Sequence, residues 1–393
     1  MLKNLYFGSP VLSTLPPPSF SPDKAARRSR ITTMSFNQNP LTAITNFIWG
    51  PSLPPNLLIS TARLTWSTLW HVMMSQLAPS DSSGSYRRPS SQFRISPDDP
   101  SLPRRSLHLY VGLPCPWAHR TLIVRALKGL ERFIPVSVAS PGDDGYWKFL
   151  SSPSADAGIA PTADEANGKK TLKEVYNSRS GGYSGRSTVP MLWDCDENEV
   201  ICNESYDIIE MFNSGLNEVA SNPELDLSPP HLKKRIEEWN GIIYKSVNNG
   251  VYRCGFAQSQ EAYDAAVNEL FDVLDTVDDH LGKSRYLCGD ELTLADVCLF
   301  TTLIRFDVVY NVLFKCTKKK VVEYENLHGY MREIYQIPTV AATCNFEATI
   351  EGYYKMLFPL NPGSICPIMP LASQPDTLLK PHLRDKTLSQ IPI

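Results

Sequence analysis

The chain has 393 residues, enough to bury a sizeable core and to form two domains with extensions. Its 38 basic and 41 acidic side chains leave a net charge of −3, so no overall positive field exists to hold a polyanion, and nucleic acid is not an expected partner. Nine cysteines, an odd number with no Cys-x-x-Cys pair, read as reduced thiols in a reducing compartment and not as a disulfide framework or a zinc site.

The charge is unevenly placed. Up to Ile95 only Asp23 and Asp81 are acidic, against Lys3, Lys24, Arg27, Arg28, Arg30, Arg63, Arg87, Arg88 and Arg94. An acid-poor leader that also carries Ser13, Thr14, Ser19, Ser21, Ser29, Thr32 and Thr33 has the composition of a transit peptide, expected over residues 1–60. Pro10, Pro16, Pro17 and Pro18 break the apolar run that a secretory signal needs. The expected destination is the chloroplast, with the mitochondrion as the alternative; a disordered tail on a cytoplasmic protein is the competing reading.

From Leu41 to Leu77 apolar and aromatic residues crowd together, among them Ile48, Trp49, Leu64, Trp66, Leu69, Trp70, Met73 and Met74. Thr61, Arg63, Thr65, Ser67 and His71 interrupt them, and the run falls short of the roughly 20 consecutive apolar residues that a bilayer requires. No membrane span is expected, but an amphipathic helix that docks on the folded body is. Residues 61–104 form an N-terminal extension whose Ser- and Pro-dense part, Pro79 to Pro103, is expected to act as a linker.

A first domain is expected over residues 105–226. His108 to Leu113 is a short β-type run, Pro116 to Leu130 carries helical spacing, and Phe133 to Ala139 is a second β-type run, so the order implies a parallel βαβ unit. Gly142 to Gly185 is polar and Gly/Ser-rich, the pattern of a long surface insertion. Thr188 to Asp194 reads as a strand introduced by Pro190, which fits an edge position or a cis-proline turn, and Glu204 to Phe212 as a helix. After Pro229-Pro230 the pattern is helical, giving a second domain over residues 229–357. Tyr263, Val267, Leu270, Leu274, Val277 and Leu281 form one apolar stripe, and Thr293 with Asp296 should cap another helix. Residues 358–393 are a Pro- and Ser-containing tail, expected to lack structure of its own.

Cys115-Pro116 stands at the junction of the first strand and the first helix. A cysteine there faces unsatisfied backbone N–H groups and the positive end of the helix dipole, which favour its thiolate and a titration below that of a free cysteine. Proline at the first helical position loses no needed hydrogen bond. Trp117 and Ala118 follow, not a second cysteine, so a disulfide formed by Cys115 has to be resolved by an external thiol.

The hexapeptide Cys115-Pro116-Trp117-Ala118-His119-Arg120 resembles the signature of the glutathionyl-hydroquinone reductases, the Xi class of glutathione transferases. The resemblance continues through Gly185-Arg186-Ser187-Thr188-Val189-Pro190, Asn203-Glu204-Ser205, Val247-Asn248-Asn249-Gly250-Val251-Tyr252 and Arg305-Phe306-Asp307-Val308-Val309-Tyr310. It implies an α/β plus all-α fold, a thioredoxin-like N-terminal domain that binds glutathione followed by an all-helical C-terminal domain that holds an aromatic substrate. Glutathione is then the co-substrate, no metal is needed, and a homodimer is expected. Val189 should hydrogen-bond the cysteinyl part of glutathione with Arg186, Ser187 and Thr188 beside it, while Glu204 and Ser205 meet the γ-glutamyl group. Trp147 should cover the ligand. Tyr252 resembles the proton donor and acceptor at the substrate; Tyr310 and Tyr353 resemble tyrosines that donate hydrogen bonds to the thiolate, with Tyr354 the competitor for the second place. His119 lies on the same helix and is given no chemistry, and Arg305 and Asp307 should serve an ion pair or hydrogen bonds.

The implied reaction takes glutathione from an S-glutathionyl-hydroquinone through a Cys115 mixed disulfide that a second glutathione resolves. Other glutathione transferase chemistry (conjugation, thiol transfer or dehydroascorbate reduction) and a non-catalytic scaffold on the same fold are the alternatives.

Overall fold

The structure, a computed structural model, describes residues 57–97, 99–151 and 158–384. The leader up to residue 56, on which the transit-peptide expectation falls, lies outside them. Helix α1, Leu57–Leu77, opens the described chain. Residues up to Thr65 separate from one compact unit that begins at Trp66. Within that unit the C-terminal half of α1 docks as expected. Met74 is buried, Trp70 Nε1 donates to the Pro359 carbonyl at 3.1 Å, and Trp66 meets Phe358 edge-on at 6.2 Å, while Leu69 and Val72 stay exposed.

The first domain is built on strands β1 (Leu107–Gly112), β2 (Val136–Pro141), β3 (Trp147–Lys148), β4 (Met191–Asp194) and β5 (Glu199–Cys202), with helix α2 (Pro116–Lys128) between β1 and β2, α3 (Leu172–Asn177) before β4 and α4 (Ser205–Glu210) after β5. The sheet order is β3-β2-β1-β4-β5. β1 and β2 run parallel, the βαβ unit read from the sequence, and the other pairings are antiparallel. This is the mixed sheet of a thioredoxin-like domain. β4 lies between β1 and β5, so the edge alternative for Pro190 fails, and the Val189–Pro190 bond is cis. All of β1 is buried, as a strand covered on both faces must be.

The polar insertion after Gly142 carries β3 and α3 because a buried carboxylate organises it. Asp164 accepts from Tyr110 Oη at 2.7 Å and from the Lys169 and Asn167 amides at 2.8 and 3.1 Å. Composition concealed this anchor, since one aspartate in a polar stretch carries no period.

The second domain contains α5 (Lys233–Ile243), α6 (Gly250–Gly255), α7 (Gln260–Leu281), α8 (Leu294–Arg305), α9 (Leu327–Tyr335), α10 (Pro338–Ala341) and α11 (Phe346–Tyr354). On α7 the buried stripe runs through Ala262, Ala266, Leu270, Leu274, Val277 and Leu281, leaving Tyr263 and Val267 half-buried. The residue immediately before each is the one turned inward, because a 3.6-residue period drifts against the fixed steps used to read it. Asp296 closes the start of α8, accepting from Thr293 N at 2.8 Å, Thr293 Oγ1 at 2.7 Å and Tyr330 Oη at 2.7 Å. Two wide π-type turns, Tyr244–Asn248 and Phe306–Tyr310, continue α5 and α8; the first runs into the Val247–Tyr252 motif and the second lies within Arg305–Tyr310.

Two stretches read as unstructured are tied down. Residues 79–97 do not hang as a free linker: Tyr86 is buried against Phe256 at 5.3 Å, and Phe93 and Asn203 exchange hydrogen bonds at 3.1 Å. In the tail, Arg384 is buried and donates to Glu333 at 2.9 Å and to the Arg285 carbonyl at 2.7 Å.

Candidate active site

Cys115 is the N-cap residue of α2, with extended backbone and Pro116 in the first turn. Its half-buried thiol donates to the Val189 carbonyl at 3.5 Å, across the cis bond from Pro190. Burial pushes this thiol up; the Ala118 N–H, the Arg88 charge, the Trp117 N–H and the Arg305 charge oppose it in that order. The expectation that Cys115 titrates below a free cysteine is therefore corrected for the free chain: helix N–H groups face the sulfur, but desolvation outweighs them.

The tyrosines assemble differently from expectation too. Tyr353 Oη lies 2.6 Å from Tyr252 Oη and 3.0 Å from Tyr310 Oη, so the three hydroxyls bond to one another. Among the described residues no tyrosine hydroxyl hydrogen-bonds the Cys115 sulfur; Tyr353 sits between the other two hydroxyls instead. Tyr354, the competing candidate, turns its hydroxyl to the Val308 carbonyl at 3.4 Å. Burial raises all three cluster tyrosines, Tyr310 to about 12, so each is a neutral phenol near neutral pH. Phe314 stacks on Tyr310 at 5.3 Å and meets Phe256 at 5.2 Å, which gives the hydroxyl chain an aromatic backing.

Cys115, Tyr252, Tyr353, Trp147, Arg186, Ser187, Thr188 and Val189 line one cleft of about 510 Å³, in the usual range of roughly 300–1,000 Å³ for small ligands. A smaller cleft of about 180 Å³ holds Arg186, Thr188 and Val189 with Glu204 and Ser205. Of the residues expected to bind glutathione or take part in catalysis, Tyr310 lines neither; it is buried and bonded to Tyr353. Trp147 presses on Gly112, where any Cβ would collide with the indole. Glu204 caps α4 by accepting from the Tyr206 amide at 3.3 Å and takes a second bond from Ser91 Oγ at 2.8 Å.

Arg305 and His119, which received no chemistry, are joined in one buried knot. The Arg305 guanidinium donates to the Leu113 carbonyl at 2.9 Å, to Pro114 at 3.0 Å, to Thr301 at 2.9 Å and to His119 Nδ1 at 2.9 Å. His119 Nε2 lies 2.8 Å from Thr343 Oγ1, and burial followed by the Arg305 charge keeps the imidazole neutral. A fork from α8 thus grips the two residues before Cys115. Of the ion pair or hydrogen bonds expected of Arg305 and Asp307, the structure shows hydrogen bonds: Asp307 accepts from the Val321 and Val322 amides at 2.7 and 3.1 Å. Arg120, the last residue of the hexapeptide, donates to Asn248 Oδ1 at 2.8 Å, and Asn248 donates on to Thr302 Oγ1 at 2.8 Å. The signature therefore encodes a helix-terminal cysteine together with the contacts that fix it to the helical domain.

The glutathione S-transferase N-terminal domain family matches residues 114–214, and the glutathione S-transferase C-terminal domain family matches residues 260–333. Glutathionyl-hydroquinone reductase YqjG of Escherichia coli is 46% identical over 280 residues, covering 71% of this chain and 82% of that protein. Glutathionyl-hydroquinone reductase PcpF of Sphingobium chlorophenolicum is 40% identical over 319 residues, covering 80% and 97%. Among solved structures, the glutathione-S-transferase Xi from Phanerochaete chrysosporium superposes with a TM-score of 0.70 at 42% identity, covering 75% of this chain and 95% of that one. The glutathione-bound structure of YqjG gives a TM-score of 0.66 at 43% identity, covering 77% and 93%.

Proposed function

The chain belongs to the Xi class of glutathione transferases, the glutathionyl-hydroquinone reductase family, and from that membership we propose that it removes glutathione from S-glutathionyl-hydroquinones with Cys115 as nucleophile. The observation that carries this reading is the meeting of the Cys115 thiol and Tyr252 in one cleft, with half-buried Tyr252 at one end of a chain of tyrosine hydroxyls.

Cys115 thiolate attacks the glutathionyl sulfur, forming the Cys115–glutathione disulfide as the sulfur–carbon bond to the ring breaks. The ring carbon leaves with the bonding pair, which is feasible when the ring reacts as its keto tautomer and the departing electrons form an enolate. Tyr252, a neutral phenol, manages the proton, so the ring carbon gains hydrogen and the product is the hydroquinone. A second glutathione thiolate then attacks the mixed disulfide, releasing glutathione disulfide and restoring Cys115. Val189 supports the cysteinyl part of the ligand, Arg186, Ser187 and Thr188 lie beside it, Glu204 and Ser205 face the γ-glutamyl end, and Trp147 covers it.

Initial rates against both substrates test the reading. Parallel double-reciprocal lines, one glutathione disulfide per hydroquinone and a loss beyond roughly a hundredfold in Cys115→Ser are expected, since an alcohol is a far weaker nucleophile than a thiolate. Near wild-type turnover in that variant would contradict it. The same reading includes a homodimer, checked by light scattering, and import into the chloroplast. The acid-poor, Arg- and Ser-bearing leader supports import, and a reporter fused to residues 1–60 that stays diffuse in the cytosol would refute it.

A further inference from the structure

The segment before the first domain brings three arginines to the glutathione-transferase body, and they are not equivalent. Arg87 pairs with Asp81 at 2.9 Å, and Arg94 forms a two-armed pair with Asp207. Arg88 has no carboxylate partner among the described residues. Its guanidinium lies over the Trp117 ring, 4.0 Å from the centroid, and Arg120 occupies the ring at 4.3 Å. Both guanidinium groups thus lie over one indole, a packing that restricts the rotamers of Arg88, and Arg88 is presented without a salt bridge to neutralise it.

The position of Arg88 gives that free charge a use. It lines both clefts, the one that contains Glu204 and Ser205 and the one that contains Cys115 and Tyr252. The segment is locked in place on either side of it. Tyr86 is buried against Phe256, and three residues beyond Arg88 the Ser91 hydroxyl donates 2.8 Å to Glu204 Oε2. One strap therefore delivers a guanidinium and orients a carboxylate in the same small cleft. A cation and an anion lining one small cleft complement an α-amino-acid head group, whose carboxylate and ammonium sit on one carbon.

We propose that Arg88 is a specificity-determining residue that binds the α-carboxylate of the γ-glutamyl residue of glutathione, completing from the N-terminal extension the subsite that Glu204 and Ser205 open. This rests on the glutathione reading of the clefts. It assigns a functional role to a stretch outside both matched domain regions. Arg88 also contributes the largest favourable charge interaction at the Cys115 sulfur, so the residue that selects the ligand helps ready the nucleophile.

Calorimetric titration of the full chain with two probes tests the assignment: S-methylglutathione, and S-methylated γ-aminobutyryl-cysteinyl-glycine, which lacks only the γ-glutamyl carboxylate. Arg88→Gln should weaken S-methylglutathione roughly tenfold to a hundredfold, the range for a hydrogen bond to a charged group. The decarboxylated probe should bind wild type as weakly as it binds Arg88→Gln, and Arg87→Gln should bind both probes as wild type does. Equal weakening of both probes by Arg88→Gln, or none, would overturn the proposal. Failure of wild type to bind S-methylglutathione at all would instead overturn the glutathione reading, and the role of Arg88 with it.

Discussion

A thiol at a helix N-terminus is commonly expected to be acidic, yet at Cys115 the balance runs the other way in the free chain. Burial is the largest influence, and the opposing N–H groups and arginine charges reduce it without reversing it. Alkylation of Cys115, followed by peptide mass, should then rise about tenfold per pH unit through neutrality and show no plateau below the ordinary thiol range, because only the thiolate reacts. A plateau below about pH 7 would refute this. The tyrosines call for a different test. Since Tyr353 carries both hydroxyl contacts, Tyr353→Phe should lower kcat more than Tyr310→Phe, which breaks one, and Tyr354→Phe should leave kcat within about twofold. A hydrogen bond between neutral groups contributes about 0.5–1.5 kcal/mol, so losing two predicts a fall of roughly fivefold to a hundredfold. Equal kcat values for Tyr353→Phe and Tyr354→Phe would remove the hydroxyl chain from the mechanism.

At the scale of elements, the Pro114–Cys115 loop is held from the helical domain. Gly352, one residue before Tyr353 on α11, lies against Pro114, and a Cβ there would collide with the proline ring. Gly352→Ala should displace the Pro114–Cys115 loop, lowering stability by about 1–3 kcal/mol as overpacking does and reducing kcat. Unchanged kcat with lowered stability would mean that the contact only packs. Arg305→Lys keeps the charge but loses the planar fork that reaches Leu113, Pro114 and Thr301 together. Its kcat should fall at nearly constant KM for glutathione, and a pH–rate profile displaced along with KM would point to general loosening instead. These elements also show what a sequence can reveal. The strand–helix–strand start, the proline-led strand and the α8 cap were legible because turn residues and hydrophobic periods are local. β5 and the Asp164 anchor were not, since a four-residue strand and a single buried carboxylate leave no periodic trace.

Over the whole molecule, Cys115, Val189, Glu204, Ser205 and Tyr252 in the clefts were recovered from motifs, whereas the strap residues that also line them and the role of the tail were not. Tyr86, Arg88 and Ser91 sit in a stretch whose Ser and Pro content marks a linker, and only their partners in the folded chain, Phe256, Trp117 and Glu204, reveal otherwise. The tail was equally opaque. Arg384 is buried beside Glu333 and caps the carbonyls of Leu281, Ser284 and Arg285. Arg384→Ala should strip those carbonyls of their donor and leave Glu333 with Arg285 and Tyr286 as its remaining partners, lowering stability by about 1–3 kcal/mol, the penalty for unsatisfied buried acceptors, read as a fall in Tm. An unchanged Tm would mean that the tail adds nothing. The central claim, that Cys115 itself takes the glutathionyl group from the substrate, is tested most directly by one turnover without free glutathione. Mixing the chain with an S-glutathionyl-hydroquinone should release one equivalent of hydroquinone and leave one glutathionyl group on the Cys115 peptide, seen by mass and removed by added glutathione. Hydroquinone released while the Cys115 peptide stays unmodified would contradict the account.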